Sequence, residues 1–489
     1  MKFYVENEHL MNHQKGKPIS HCSPWTSPPL NPTFSYSSEL QHLLVGKQLL
    51  IDDIPLLVET IHDHYQNGYV SYRKGIVHKP TMMCNRCGNK HLFYSFHCAR
   101  CDQVCTYCRA CIMMGRVSEC TPLISWNGPT IPHSESTSFL AWKGTLSPAQ
   151  QLAASEVVSA IHHNEELLVW AVCGAGKTEV LFEGIHTALQ EGKRVCIATP
   201  RTDVVLELVP RLQQAFPHAN AIGLYGGSPD RHVYSPLVLT TTHQLFRFYQ
   251  AFDVIIVDEV DAFPYSADET LQYAVQQAKK PHATTIYLTA TPNEKWQQDV
   301  KAKKRKTVRI PARYHRHPIP VPSLCWCGNW QKSLKKGRLP VPFKQWLQKR
   351  ITEVTPCFIF IPRIDVLNQV VALIREMGVS VDGVHAADEH RKEKVEQFRK
   401  GELSVLVTTT ILERGVTVPR IDVAILGAED RIFTESALVQ IAGRVGRSAE
   451  YPTGESTFFH YGKTNEMLKA RAHIITMNVE AKKRGLIDG

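Results

Sequence analysis

A phosphate-binding loop is the clearest chemical motif in the sequence. The segment AVCGAGKT, residues 171–178, follows an apolar run and precedes a helical stretch, and it matches the P-loop pattern except that Ala171 replaces the first glycine. Backbone N–H groups of such a loop contact phosphate, Lys177 reaches the β- and γ-phosphates, and the Thr178 hydroxyl binds Mg²⁺. The residues of this loop that are predicted to bind ATP are Gly174, Ala175, Gly176, Lys177 and Thr178.

A pair of acidic residues follows a second apolar run. VIIVDEVD places Asp258 and Glu259 where a buried strand ends. In a P-loop protein the aspartate holds Mg²⁺ and the glutamate polarises the attacking water. Thr289 and Thr291, in the next apolar run, are interpreted as structural because threonine is common at strand ends.

Two arginines near the other end of the chain complete the set. QIAGRVGRS, residues 440–448, carries Arg444 and Arg447 behind Gln440. Such arginines stabilise the transition-state charge on the γ-phosphate. Surface arginines on an amphipathic helix are the alternative, but the GR-x-GR spacing favours the chemical role. The predicted catalytic residues are Lys177, Asp258, Glu259, Gln440, Arg444 and Arg447.

Cysteines form a second chemical cluster. The chain has 14, and seven of them lie between Cys84 and Cys111. Repeated C-x₂-C knuckles are typical of tetrahedral Zn²⁺ sites. Spacing alone leaves the pairing open: Cys84 and Cys87 close a site with Cys98 and Cys101, or with Cys108 and Cys111. A two-ion arrangement with His97 or Cys120 as the eighth ligand is also open. Cys325 and Cys327 are interpreted as structural.

Bulk properties narrow the class of protein. The chain has 489 residues, 43% hydrophobic and 21% charged, with a formal net charge of +10. This length predicts two or three domains, and the excess of positive charge favours a polyanionic partner. The sequence has no apolar run of transmembrane length and no signal-peptide core at its start. We therefore expect a cytoplasmic protein, with peripheral attachment to the inner face of the membrane as an option.

Apolar periodicity predicts an α/β fold. Five short β-branched runs alternate with helical segments after residue 145, and five more follow after residue 350, which indicates two parallel sheets covered by helices. A basic, proline-rich segment, residues 301–322, lies between the two series and is interpreted as a solvated linker rather than a DNA-binding strip. The predicted domains are 1–80 (role unassigned), 81–120 (cysteine-rich zinc module), 121–144 (linker), 145–310 (first lobe), 311–350 (linker) and 351–489 (second lobe).

The ordered motifs resemble those of superfamily 2 helicases and translocases. LSPAQ, ending at Gln150, is similar to the adenine-recognising segment of that superfamily, which implies this role for Gln150. The fold implied is two tandem RecA-like parallel-sheet lobes preceded by a small zinc-binding module. Four further segments resemble the parts of these motors that grip a nucleic-acid backbone: residues 198–205, 240–245, 360–363 and 408–417.

The cysteine module ahead of the lobes narrows the resemblance. AVCGAGKTE, CxRCG, YCRxC and MGR together resemble the late competence family ComFA. That resemblance implies an ATPase stimulated by single-stranded DNA, which imports transforming DNA with a ComFC-type partner protein at the membrane. It also implies one zinc site formed by Cys84, Cys87, Cys108 and Cys111, and leaves a second ion open.

Three other functions fit part of the same pattern. A replication-restart helicase of the PriA type combines such lobes with zinc knuckles, but there the cysteines interrupt the second lobe. The ATPase is alternatively a switch for assembly of a zinc-containing nucleic-acid-binding factor. An RNA helicase is also compatible with segments that contact only the backbone.

Overall fold

A computed structural model describes residues 2–6, 8–12, 16–78, 80–132, 139–410 and 418–487. The chain divides into two compact units. The first comprises residues 1–144, 155–167 and 181–287, and the second comprises residues 145–154, 168–180 and 288–489.

The N-terminal part of the first unit is built from short antiparallel pairs. β1 pairs with β2, β3 with β8, β4 with β5, and β6 with β7. A small apolar core that includes Leu40, Ile61 and Ile124 lies beneath them. The elements are β1 (Phe3–Glu6), β2 (His9–Asn12), α1 (Ser38–Leu44), α2 (Val58–Gln66), β3 (Val70–Lys74), β4 (Ile76–Val77), β5 (Met83–Cys84), β6 (Phe93–Cys98), β7 (Gln103–Cys108) and β8 (Pro122–Trp126).

The chain next forms a seven-stranded sheet with the order β11-β12-β10-β13-β14-β9-β15. β10 runs parallel to both β12 and β13. The carboxyl ends of these three strands therefore lie at the same edge of the sheet. The elements are α3 (Pro148–His163), β9 (Glu166–Ala171), α4 (Lys177–Val180), α5 (Phe182–Gln190), β10 (Val195–Thr199), α6 (Thr202–Ala215), β11 (Ile222–Leu224), β12 (Leu237–Thr241), β13 (Phe252–Val257), α7 (Glu269–Ala278), β14 (Lys279–Thr289), α8 (Glu294–Lys301) and β15 (Thr307–Ile310).

The remainder forms a six-stranded sheet, all of whose strand pairs are parallel, with the order β16-β21-β20-β17-β19-β18. Every residue of β17 is buried, as continuous apolar strands of parallel sheets require. The elements are β16 (Ser323–Trp326), α9 (Trp330–Lys335), α10 (Val341–Thr352), β17 (Cys357–Phe360), α11 (Ile364–Arg375), β18 (Val381–Val384), α12 (Arg391–Arg399), β19 (Val405–Thr408), β20 (Asp422–Leu426), α13 (Glu435–Ala442), β21 (Ser456–His460) and α14 (Asn465–Lys483).

The predicted fold class is confirmed: the chain contains two parallel-sheet lobes, and its cysteine clusters lie ahead of them. Regular structure also occurs inside both segments that the sequence predicts as linkers. In 121–144, β8 is a mostly buried strand, and in 311–350 the chain forms β16, α9 and most of α10. Composition did not predict these elements, because the strands in both segments are short and are flanked by proline, glycine or basic residues.

Candidate nucleotide site and cysteine clusters

The phosphate-binding loop lies between β9 and α4, as its sequence predicts. Gly174 has φ 81° and Gly176 has φ 72°, a left-handed conformation that favours glycine. A Cβ at Gly176 would lie 2.4 Å from the Gln150 side-chain nitrogen. Glycine at position 176 therefore lets Gln150 pack against the loop, and the glycine-rich backbone with Lys177 and Thr178 fits a bound triphosphate such as ATP.

Gln150 contacts this loop directly. Its amide oxygen accepts from the backbone N–H of Ser147 at 2.8 Å, and its amide nitrogen donates to the carbonyl of Ala175 at 2.8 Å. The residue is only 5% exposed. Gln150 thus positions the phosphate-binding loop, and adenine recognition stays a prediction.

Within the second unit, the loop is bonded to the segment that carries the two predicted arginines. The thiol of Cys173 donates to the amide oxygen of Gln440 at 2.9 Å. A Cβ on Gly443 would lie 2.6 Å from the Cβ of Cys173, so only glycine permits this approach. Arg444 is 2% exposed, and Arg447 donates to the carbonyl of Gly443 at 2.9 Å. The phosphate-binding loop and the arginine segment therefore lie in direct contact, as the shared ATP site predicted from the sequence requires.

Arg313 joins the same two segments and was missed by the sequence analysis. Its guanidinium donates to the carbonyls of Cys173 at 3.2 Å and Gly443 at 3.0 Å, and also to those of Val445 and Gly446. It is 1% exposed, so the solvated-linker interpretation is wrong for this residue. Burial lowers the pKa of Arg313 to about 10, and the side chain still carries its charge at neutral pH. In the sequence, burial of Arg313 is indicated locally by the short apolar strand β15 that precedes it.

The threonines at the end of β14 and just after it have a structural role. Thr289 and Thr291 are both buried, and the Thr289 hydroxyl accepts from the backbone N–H of Thr291 at 3.0 Å. The Thr291 hydroxyl then donates to Ser436 in α13 at 2.9 Å. These bonds tie the strand end to the helix that leads into the arginine segment.

In the first unit, the acidic pair follows β13 directly. The Asp258 carboxylate accepts from the backbone N–H of Glu259 at 2.8 Å, and Glu259 has φ 56°. Left-handed backbone is unfavourable for a residue with a Cβ and is concentrated at functional sites. Arg201 lies at the start of α6 with its Nε 4.0 Å from the Glu259 carboxylate. The sequence placed Arg201 only in a backbone-gripping segment and gave no sign of this ion pair.

The four predicted nucleic-acid-contacting segments begin at or near the carboxyl ends of β10, β12, β17 and β19. Carboxyl ends of parallel strands are where open α/β sheets bind ligands. For the fourth segment, residues 411–417 lie outside the described residues.

The first cysteine cluster contains the four predicted zinc ligands. The sulfur atoms of Cys84, Cys87, Cys108 and Cys111 lie within 4.8 Å of one another, and all four side chains are buried. Hydrogen bonds from Cys111 and Cys84 lower the pKa of the Cys108 thiol, whereas a hydrogen bond to Cys108 raises the pKa of the Cys87 thiol. Four thiolates at this spacing need a cation, and the donor set fits Zn²⁺.

The second cluster answers a question that spacing left open. Cys98 and Cys101 lie with Cys105 and Cys120, within 4.8 Å of one another, rather than with the first cluster. His97 is exposed, so Cys120 is the residue that completes this group. A hydrogen bond from Cys105 lowers the pKa of the Cys120 thiol to about 5, and burial raises that of Cys101 to about 11.

Comparison with protein families agrees with this arrangement. Residues 31–125 match the competence protein ComFA N-terminal domain, residues 143–294 match the res subunit of type III restriction enzymes, and residues 343–449 match the helicase conserved C-terminal domain. The chain is 50% identical over 458 residues to competence protein ComFA of Bacillus subtilis (strain 168), covering 93% of this chain and 98% of that protein. The chain belongs to the ComFA family.

A second family member, from Streptococcus pneumoniae, is 40% identical over 77% of this chain and 86% of its own length. Among solved structures, a single-substitution variant of S. cerevisiae Dbp5 bound to RNA and ADP BeF3 has TM-score 0.51 at 14% identity, covering 70% of this chain and 98% of that one. The DEAD-box helicase Mss116 bound to ssRNA and UDP-BeF has TM-score 0.50 at 15% identity, covering 70% and 83%. These two likenesses concern the fold alone.

Family membership and the helicase domains establish the class of activity. The chain is a competence ATPase of helicase type, and its helicase domains imply ATP and Mg²⁺ as ligands. Among the helices of the described residues, none has the length and apolar character needed to span a bilayer.

Proposed function

We propose that the protein is an ATP-driven translocase that moves single-stranded DNA during uptake of transforming DNA. The observation that carries this proposal is the bonding of the phosphate-binding loop to the arginine segment through Cys173, Gln440 and Arg313. A change at the loop on nucleotide binding or release is transmitted through these bonds to residues 443–447. A motor requires such coupling between nucleotide state and a second structural element.

The roles of individual residues follow from their chemistry. Lys177 would hold the β- and γ-phosphates, and Thr178 and Asp258 would hold Mg²⁺, which supplies charge neutralisation at the phosphoryl group when bound. Glu259 would accept a hydrogen bond from the attacking water and orient it. Arg444 and Arg447 would stabilise the transition-state charge.

Arg201 supports the link between DNA and hydrolysis. Its segment is one of those predicted to grip the nucleic-acid backbone, and its guanidinium is paired with Glu259. When a phosphate of the strand draws this guanidinium away, Glu259 is released to orient water. DNA-stimulated hydrolysis follows from this exchange of partners.

The test is ATP hydrolysis by purified protein with single-stranded DNA or RNA of equal length. We expect stimulation by DNA, loss of activity in Lys177→Ala, and displacement of streptavidin from a biotinylated single strand. Hydrolysis unaffected by DNA, or full activity in Lys177→Ala, would contradict the proposal. Strong unwinding of forked duplex would instead favour a replication-restart helicase.

We further propose Zn²⁺ at Cys84, Cys87, Cys108 and Cys111, a ComFC-type partner and peripheral attachment at the membrane. The buried thiol cluster supports the metal, and family membership supports the partner. Co-elution of the two purified proteins tests the partnership, and flotation with vesicles, with and without the partner, tests attachment. Separate elution would contradict the partnership, and absence of flotation would contradict membrane attachment.

A further inference from the structure

The second cysteine cluster has the geometry of a complete metal site. Its four sulfur atoms lie within 4.8 Å of one another, with 3.7 Å between those of Cys98 and Cys120. A tetrahedral site with Zn–S bonds of about 2.3 Å places its sulfur atoms about 3.8 Å apart. The corresponding distances in the first cluster are 3.9, 3.6 and 3.8 Å. The Cys98–Cys120 distance therefore matches those of the first cluster and the tetrahedral value, and the other sulfur atoms of the second cluster lie within the same 4.8 Å limit.

Local structure delivers each ligand to this point. Cys98 ends β6 and Cys105 lies on β7, and between them a tight turn carries Cys101, with Asp102 donating to the Cys98 carbonyl at 2.7 Å. Cys120 arrives from outside the hairpin. The segment before it is held against β7, because Glu119 donates its backbone N–H to the Thr106 carbonyl at 3.0 Å and its carboxylate accepts from Thr106 N–H at 2.6 Å.

Ordinary apolar packing does not explain why these thiols are buried. The cluster contains only the four cysteines, and the partly buried Phe96 is the single hydrophobic side chain packed against it among the described residues. On the same hairpin Tyr94 and Val104 are each 56% exposed. A hairpin with so small a core is marginal in water, so another source of stability is needed.

We propose that Cys98, Cys101, Cys105 and Cys120 bind a second Zn²⁺ ion, separate from the one at Cys84, Cys87, Cys108 and Cys111. Four thiolates with every position filled make a closed, structural site. The ion keeps the β6–β7 hairpin folded and fastens the 117–120 segment to it. Arg100 in the hairpin turn pairs with Asp52 at 2.8 Å, so this ion also fixes a contact with the remainder of the first unit.

The metal content of the full-length protein tests this directly. We expect two zinc ions per chain by inductively coupled plasma mass spectrometry after exhaustive dialysis. Cys120→Ser and Cys87→Ser should each retain one, and the double variant none. Cys22→Ser is the matched control: it removes another buried N-terminal thiol that belongs to neither cluster, and it should retain two. One ion in the parent protein would overturn the proposal, as would two ions in Cys120→Ser.

A measurement on the unaltered protein covers variants that fail to fold. Titration with a mercurial reagent should release zinc in a 2:1 ratio to protein, and zinc-edge X-ray absorption should show sulfur-only coordination for both ions. Disulfides are the competing outcome: peptide mapping that finds Cys98 or Cys120 in a disulfide would overturn the proposal. Neither readout uses ATP hydrolysis, so this result stands or falls separately from the proposed motor activity.

Discussion

At the scale of single residues, Arg313 is the largest departure from what the sequence indicates. It belongs to a run of basic residues that reads as a solvated linker, yet it is buried and donates to four backbone carbonyls. Carbonyl acceptors are invisible in a sequence, because every residue has one. The planar, five-donor guanidinium is the only side chain that can serve so many at once.

We predict that Arg313→Lys keeps the charge but lowers ATP hydrolysis by about tenfold or more, since hydrogen bonds from a charged group contribute about 1.5–3 kcal/mol each and lysine cannot reproduce the fork. Steady-state hydrolysis at saturating ATP measures this. Lys304→Ala, an exposed position in the same basic run, is the control and should leave the rate unchanged. Equal rates for Arg313→Lys and the parent would show that the bridge is dispensable.

At the scale of elements, prediction succeeded where packing alone decides the structure. All ten apolar runs became strands, because continuous β-branched segments have few alternatives to a buried parallel sheet. Cys120 could be proposed but not chosen over His97, because its place depends on strand pairing beside Thr106 rather than on spacing. The ion pair of Arg201 with Glu259 also depends on strand pairing, because the two residues follow the neighbouring parallel strands β10 and β13.

That neighbouring placement predicts how DNA controls hydrolysis. Arg201→Gln should raise basal hydrolysis toward the DNA-stimulated rate and so lower the stimulation by DNA about tenfold, a difference of about 1.4 kcal/mol. The reason is that the variant keeps Glu259 but loses the charge that exchanges between carboxylate and DNA phosphate. Arg211→Gln, on the exposed side of the same helix α6, is the control. Equal loss of basal and stimulated rates would mean that Arg201 only orients Glu259.

At the scale of the whole molecule, the N-terminal region is an integral part of the first unit. The Gln48 side chain donates to the carbonyls of Phe246 and Phe248 at 3.2 Å each, and Arg194 donates to the carbonyl of Val45 at 3.4 Å. Arg194 is itself buried among aromatic rings, 4.9 Å from that of Phe252. The sequence assigned residues 1–80 no role, because contacts across about 200 residues leave no local pattern.

Lys47 makes this contact sensitive to pH. It is 2% exposed and donates to the Arg231 carbonyl at 3.3 Å. Burial, together with the charges of Arg194, Arg247 and Arg231, lowers its pKa to about 7. Asp53 is the carboxylate here, and it pairs with Arg231 and Arg247 rather than with Lys47.

The sign of the effect follows from these pKa values. Between pH 7 and the unfolded pKa of about 10.4, the unfolded chain binds more protons at Lys47 than the folded chain does, so this residue makes the fold more stable as pH rises.

The Lys47→Met substitution removes that dependence of stability on pH. The free energy of unfolding of the variant relative to the parent should therefore fall by about 2 kcal/mol between pH 7 and pH 9. Urea unfolding at the two pH values measures the difference, and Lys90→Met, at an exposed position, should follow the parent. A gap between Lys47→Met and the parent that stays constant with pH would show that Lys47 remains protonated inside the fold.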